Sequence, residues 1–391
     1  MQTKQIDQTY IAGTYARFDV ALVSGSGSLL YDENGKSYID LGTGIAVNTF
    51  GASDEVWAQA VSEQAKKLAH TSNLYYTQPC ALLAQQLCQR TGMKKVFFSN
   101  SGAEANECLI KAARKWAQDK FGPQRRNLVT LKNSFHGRTL ATLAATGQDA
   151  FHQDFAPLPE GFLYAQAGDL AQVEQYLQTG TVCGVLVELV QGEGGVVALD
   201  KGFVQGVWAL CQRYDAAFCI DEVQTGNGRT GTLYAFEQYG VVPDIVSTAK
   251  GLAGGLPLGA TLLGERTQDV FTPGTHGSTF GGNPVCCAGA LSVLSRIDET
   301  LLAQVRAKSA YIVEALSGAK GIKSVSGLGL MLGVETEAPA GEIVKGCMEK
   351  GVLVLTAKTK VRLLPALNIP MDQLETAIGV LKAVCAEKSG R

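Results

Sequence analysis

The sequence predicts an α/β protein, with a large doubly wound, mostly parallel sheet domain and a smaller α+β domain after it. The first sign is a set of short β-branched runs: KVFFS (95–99), NLVTL (127–131), CGVLVELV (183–190), AAFCIDEV (216–223) and DIVSTA (244–249). They are nearly continuous in apolar character, as strands covered on both faces must be. The second is helical spacing of apolar residues around them, from about Glu55 to Leu68 and from Ala103 to Lys120. Strand and helix in alternation give a wound layer. The third is length, since 391 residues exceed what one ordinary core holds.

Taken in order, the chain opens on a segment, 1–54, whose residues 28–41 alternate about Asn34-Gly35, a hairpin expected to pack with the small domain. Ser53 or Asp54 is placed to cap the helix that follows. The large domain is expected over 55–284 and the small one over 285–391. Beyond Pro284 two helical stretches lead to GLMLGVE (329–335), then VLVLTAKTKVRLL (352–364), then a last helix toward Ala386. Without a repeat or a low-complexity linker, the two parts are expected to meet across a broad interface.

Composition removes several classes of function. A formal net charge of −2 without a basic stripe argues against nucleic acid. The polar start MQTKQIDQTY and the lack of a long apolar run argue against a membrane and for the cytoplasm. Ten cysteines include no C-x-x-C, and the four histidines lie at no ligand spacing from them, so no metal site is expected and the thiols read as reduced.

Chemistry concentrates around Lys250 in STAKGLAGGLPLGA (247–260), an ammonium among small apolar residues. Burial is costly for the charged form, and a lysine that loses its proton is a nucleophile able to form a Schiff base with an aldehyde. SNSGAEANE (99–107) follows a strand and opens a helix; it reads as a phosphate cup or as a tight turn. Asp221, closing a buried strand, either caps a turn or holds a proton on a pyridine nitrogen. In FHGRT (135–139), Phe135 or His136 suits the face of a flat ring, and Arg138 a carboxylate or a surface ion pair. STFGGNP (278–284) offers the hydroxyls of Ser278 and Thr279 to a phosphate, although Gly281-Gly282 reads equally as loop chemistry.

Phe135-His136-Gly137-Arg138-Thr139, Val187-Glu188 with Gln191-Gly192-Glu193, Asp221 to Gly226 with Gly228 to Gly231, the lysine stretch and Ser278 to Pro284 together resemble the class III aminotransferases. The motifs cover essentially the whole chain in order. The resemblance implies a pyridoxal-phosphate transferase of fold type I, in which Lys250 carries the cofactor as a Schiff base. It further implies that Asp221 pairs with the pyridinium nitrogen, that Phe135 stacks on the ring and that Ser101, Gly102 and Ala103 hold the phosphate. Glu188, Val223 and Gln224 complete the cofactor pocket, and Thr279 reaches the phosphate of a neighbouring subunit, so a homodimer with shared sites is expected.

For substrate, the resemblance implies that Arg138, helped by Ser278, holds the distant carboxylate of an ω-amino donor. Glu193 covers Arg362 for that donor and swings aside when an α-carboxylate must bind. Gly44, where ornithine aminotransferases carry a tyrosine, leaves space for an N-acyl group unless it is only a turn residue. The expected reaction is therefore transfer from N-acetylornithine to 2-oxoglutarate, on the way to arginine. Succinylornithine, ornithine, 4-aminobutyrate or an aminomutase reaction are the alternatives. The chain departs from the family at Gly51-Ala52-Ser53-Asp54-Glu55, where relatives show Gly-His-x-His-Pro, which puts the shape of the entrance in question. A dehydrogenase fits poorly, because Gly25-Ser26-Gly27 precedes a hairpin and not a helix; Gly35-Lys36-Ser37 lacks the upstream glycine of a P-loop.

Overall fold

The structure, a computed structural model, describes residues 3–390. Its centre is a sheet of seven strands: β1 (Lys95–Ser99), β2 (Asn127–Leu131), β3 (Phe162–Ala165), β4 (Val182–Val187), β5 (Ala217–Asp221), β6 (Ile245–Thr248) and β7 (Gly259–Leu263). Their order is β1-β7-β6-β5-β4-β2-β3, and all are parallel except β7, which runs antiparallel to both neighbours. The carboxyl ends of the six parallel strands share one edge, and the residues just beyond them face a common crevice.

The helix Gly102–Phe121 crosses one face of the sheet and buries Leu109, Ile110, Ala113 and Trp116 there. Lys201–Arg213 belongs to the opposite core through Phe203, Val204 and Val207. Apolar contact on both faces explains the lack of alternation in β4 and β5, whose residues are all buried.

Around Asn34-Gly35 the hairpin forms as the sequence predicts, Leu29–Asp32 against Ser37–Asp40. Asp32 Oδ1 accepts the backbone N–H of Asn34 and of Lys36, both at 2.9 Å, and Gly35 takes φ 80°. This small sheet also takes in Val352–Leu353, parallel to Ser37–Asp40. Two segments far apart in sequence are thereby joined.

Some stretches divide differently from the sequence reading. The run 183–190 is no single strand: β4 stops at Val187, and Val190–Gln191 pairs separately with Val197–Ala198. The run 352–364 breaks into Val352–Leu353, Leu355–Ala357 and Lys360–Leu363, the last two reversing at Lys358 with φ 52°. Ile322–Leu328, Met331–Thr336, Lys360–Leu363 and Leu355–Ala357 then form a four-stranded sheet in that order. Helices Glu299–Leu316, Ala340–Glu349 and Met371–Lys388 pack with it, and one apolar core runs without interruption from Leu83 and Leu131 to Leu381 and Val384.

Candidate active site

Lys250 follows β6 directly and begins a single 3-10 turn, Lys250–Ala253, at φ 44°. A side chain in that backbone region is strained and persists only where its surroundings fix it. Here they do so from two sides. Asn227 Nδ2 donates to Thr248 Oγ1 at 3.1 Å and to the Ala249 carbonyl at 3.2 Å, while Thr49 Oγ1 donates to the Gly251 carbonyl at 2.8 Å. The amine itself has no hydrogen bond or ion pair among the described residues. Enclosure by protein pushes its pKa below the ordinary lysine value, against the pull of Asp221, Glu193 and Glu188.

Asp221 lies on the neighbouring strand, in register with Ser247. It is buried, and Oδ2 accepts from Asn106 Nδ2 at 2.7 Å and contacts His136 Nδ1 at 2.8 Å, while Oδ1 accepts from the Val223 N–H at 3.0 Å. Glu188, just past β4, is also buried. Oε2 accepts the Phe135 N–H at 2.8 Å, and burial, reinforced by the charge of Asp221, holds its pKa well above the usual carboxylate range.

On the side facing the smaller sheet, Arg362 Nη1 meets Glu193 Oε1 at 2.5 Å and Gln224 Oε1 at 3.3 Å. The two ends of that ion pair differ: the Arg362 side chain is 4% exposed, that of Glu193 30%. The carboxylate is the end free to move. Arg138 is exposed and has no carboxylate partner among the described residues; its guanidinium lies 4.3 Å from the Phe151 ring centroid and 5.4 Å from that of Phe135.

Ser101 caps the helix Gly102–Phe121 by accepting the Glu104 N–H at 3.1 Å. A Cβ on Gly102 would stand 2.6 Å from Val223 Cγ1, so glycine lets this helix start approach the end of β5 closely. Gly44 belongs to a left-handed turn in which Thr43, Gly44, Ile45 and Ala46 all have positive φ. Ala46 and Thr49 bring that segment against Gly251, and a Cβ on Gly44 would meet only Val47 Cβ, at 3.8 Å. The Ser278 hydroxyl oxygen accepts from the Gly281 N–H of its own loop at 2.9 Å and from Asn100 Nδ2, just past β1, at 3.2 Å. Thr279 is exposed on the same loop, and no hydrogen bond among the described residues ties it to Lys250, Asp221 or Arg362.

The structure thus gathers Lys250, Asp221, Glu188, Glu193, Gln224 and Arg362 into one crevice, with Phe135, Val223 and Gly102 at its walls, and leaves Ser278 and Thr279 on a loop beside it. Asn106, Asn227, Thr49 and Ser247 hold these groups in place and were not singled out from sequence. Asn106 and Ser247 left a signal only as members of the quoted stretches SNSGAEANE and STAKGLAGGLPLGA.

The Aminotransferase class-III family matches residues 10–385. This chain belongs to that family. It is 50% identical to an acetylornithine aminotransferase of Haemophilus ducreyi over 99% of both chains. It is 43% identical to a succinylornithine transaminase of Yersinia pseudotuberculosis, over 97% of this chain and 95% of the relative. Among solved structures, the N-acetylornithine aminotransferase of Stenotrophomonas maltophilia superposes with a TM-score of 0.85 at 35% identity, over 98% of each chain. Class III aminotransferases depend on pyridoxal phosphate. The crevice fits that group: an enclosed amine without a partner among the described residues, a carboxylate one strand away, a capped helix start that Gly102 lets close against Val223, and buried polar atoms without partners at His136 Nε2 and Arg362 Nε.

Proposed function

We propose that this aminotransferase moves the terminal amino group of N2-acetyl-L-ornithine to 2-oxoglutarate, giving N-acetylglutamate semialdehyde and glutamate, in the cytoplasm and toward arginine. The observation that carries the reading is the enclosed, unpartnered Lys250 amine, one strand from Asp221. When bound, pyridoxal phosphate supplies an aldehyde for imine exchange and an electron sink for the carbon that loses its proton. Lys250 is the residue that holds the cofactor and, once released, takes and returns that proton at Nζ; its lowered pKa suits the duty. Asp221 holds the ring nitrogen, Phe135 its face, and Glu188, Val223 and Gln224 its remaining edges. Ser101, Gly102 and Ala103 present backbone N–H groups to the phosphate at a helix start.

Arg138 takes the far carboxylate of the donor, with Ser278, on the loop beside the crevice, as the second proposed contact. Glu193 meanwhile neutralises Arg362, and when it turns away Arg362 binds the α-carboxylate of 2-oxoglutarate. The bare space over Gly44 supports an N-acylated donor, as do the names of the similar proteins. Succinylornithine is the second reading, favoured by the 43% identity to a succinylornithine transaminase.

A homodimer belongs to the same proposal. Leu74 and Tyr75 are 88% and 69% exposed, Tyr76 is fully so, and Leu74 shares a surface cavity of about 410 Å³ with Thr279. Apolar side chains this open support burial by a second copy, which would put Thr279 against the other subunit's phosphate. The three-part division at 1–54, 55–284 and 285–391 is part of this reading too, supported by the separate sheets.

Half-reaction rates with acetylornithine, succinylornithine, ornithine and 4-aminobutyrate test the substrate; a lead for 4-aminobutyrate overturns the argument from Gly44. Purified protein is expected to be yellow, and Lys250→Ala to lose that absorbance band. A colourless protein that takes up no pyridoxal phosphate ends the proposal.

A further inference from the structure

We propose that Asn106 is a positioning residue that keeps the proton shared between Asp221 and the cofactor on the ring nitrogen and off the carboxylate. The inference rests on Asp221 facing that nitrogen, as proposed above. Its basis is a count of donors and acceptors in a region closed to water, where Asn106, Asp221, His136 and Ser247 are all buried.

Asn106 Nδ2 lies 2.8 Å from the His136 carbonyl and 2.7 Å from Asp221 Oδ2. Both neighbours are acceptors, so the amide presents its NH2 to them, and the flipped amide would set oxygen against oxygen on two sides. On the other side Ser247 Oγ donates to Asn106 Oδ1 at 2.6 Å. That hydroxyl has a single proton. Asn106 Oδ1 is the nearer acceptor, and Asp221 Oδ1, 3.4 Å from the same Oγ, is the longer and weaker one.

The accounting for Asp221 follows. Oδ2 is filled by Asn106 Nδ2 and His136 Nδ1, while Oδ1 holds the Val223 N–H and has one acceptor position left, which suits one N–H of a ring. Donors to a carboxylate favour its charged form, and a low-dielectric site without them favours the neutral pair, with the proton moved from ring nitrogen to Oδ1. Only that one proton changes place. A neutral ring is the poorer electron sink, so Asn106 acts on the reaction through Asp221 without touching the substrate.

The test uses holoenzyme carrying pyridoxal phosphate labelled at the ring nitrogen, read by NMR of that nitrogen alongside kcat and KM, in the wild type, Asn106→Leu, Ser247→Ala and Asp221→Asn. Asn106→Leu keeps the volume and removes the donor. It is expected to move the signal toward the unprotonated position and to lower kcat about tenfold, as loss of a buried charge-assisted hydrogen bond does, with KM unchanged. Ser247→Ala is expected to move it the same way by less, since Asn106 keeps both its acceptors. An unmoved signal in Ser247→Ala and Asn106→Leu overturns the inference, and Ser247→Ala decides alone if Asn106→Leu does not fold. A signal that fails to move even in Asp221→Asn overturns the proposed role of Asp221 and this inference with it. One that moves only in Asp221→Asn overturns the role of Asn106 alone.

Discussion

Lys250 holds a left-handed backbone that costs a non-glycine residue about 1–3 kcal/mol. Asn227 and Thr49 fix it by clamping the carbonyls before and after it. Glu222, beside Asp221, shows what burial does to a carboxylate with only neutral donors. Its oxygens accept from the Phe236 N–H at 2.9 Å and from the Thr225 hydroxyl, yet enclosure still raises its pKa from 4.5 to about 7. A raised native value means the folded protein keeps a proton the unfolded chain has released. Stability is therefore complete below about 4.5 and declines as pH rises to about 7, by about 3 kcal/mol at the upper end. Glu222→Gln is expected to flatten that slope, read as Tm against pH. An unchanged slope would place the titration elsewhere.

Among the elements, the helix Glu55–Lys67 depends on Asp54, whose Oδ1 accepts the Trp57 N–H at 2.9 Å and pairs with Arg296 Nη2 at 2.8 Å. Asp54→Ala is expected to cost about 1–2 kcal/mol by denaturant unfolding, the usual loss for a helix cap. The strands at 95–99 and 127–131 were legible because each is a five-residue run with apolar or β-branched residues at its centre and no glycine to break it. The strand Phe162–Ala165 escaped because it is a short edge strand, mostly half-buried. Gly259–Leu263 was hidden at the end of the glycine-rich lysine stretch, where glycine reads as turn. Helix Ala340–Glu349 does carry apolar residues at helical spacing, with Ala340, Ile343, Val344 and Cys347 buried, but its ten residues include two glycines, which read as turn. Of the candidate site, the motifs pointed to Lys250, Asp221 and the Glu193–Arg362 pair, the last of which meets at 2.5 Å. The bond from Ser247 to Asn106 joins residues 141 apart, and no local pattern encodes such a partnership.

Across the whole molecule, Arg229 ties the two parts together: buried, with its pKa lowered to about 9 by burial, it donates from Nη1 to the carbonyls of Leu330 and Pro365 at 3.1 and 2.5 Å. Outward, Leu74, Tyr75 and Tyr76 are exposed, and the proposed assembly would cover them. Tyr76→Asp is expected to give a monomer by sedimentation velocity and to weaken retention of the cofactor. A variant that sediments like the wild type would move the contact elsewhere on the surface.

The reversal of β7 bears on how this chain reaches its native state. A parallel neighbour for β6 would need a long crossover, whereas an antiparallel one closes through the short loop that carries Lys250. That hairpin is local and cheap to nucleate, while β1, its other flank, must arrive from the distant beginning of the sheet. Amide exchange during refolding should therefore show protection at Val246 and Leu262 before it appears at Val96, so that Lys250 is already seated when the rest of the barrier is crossed.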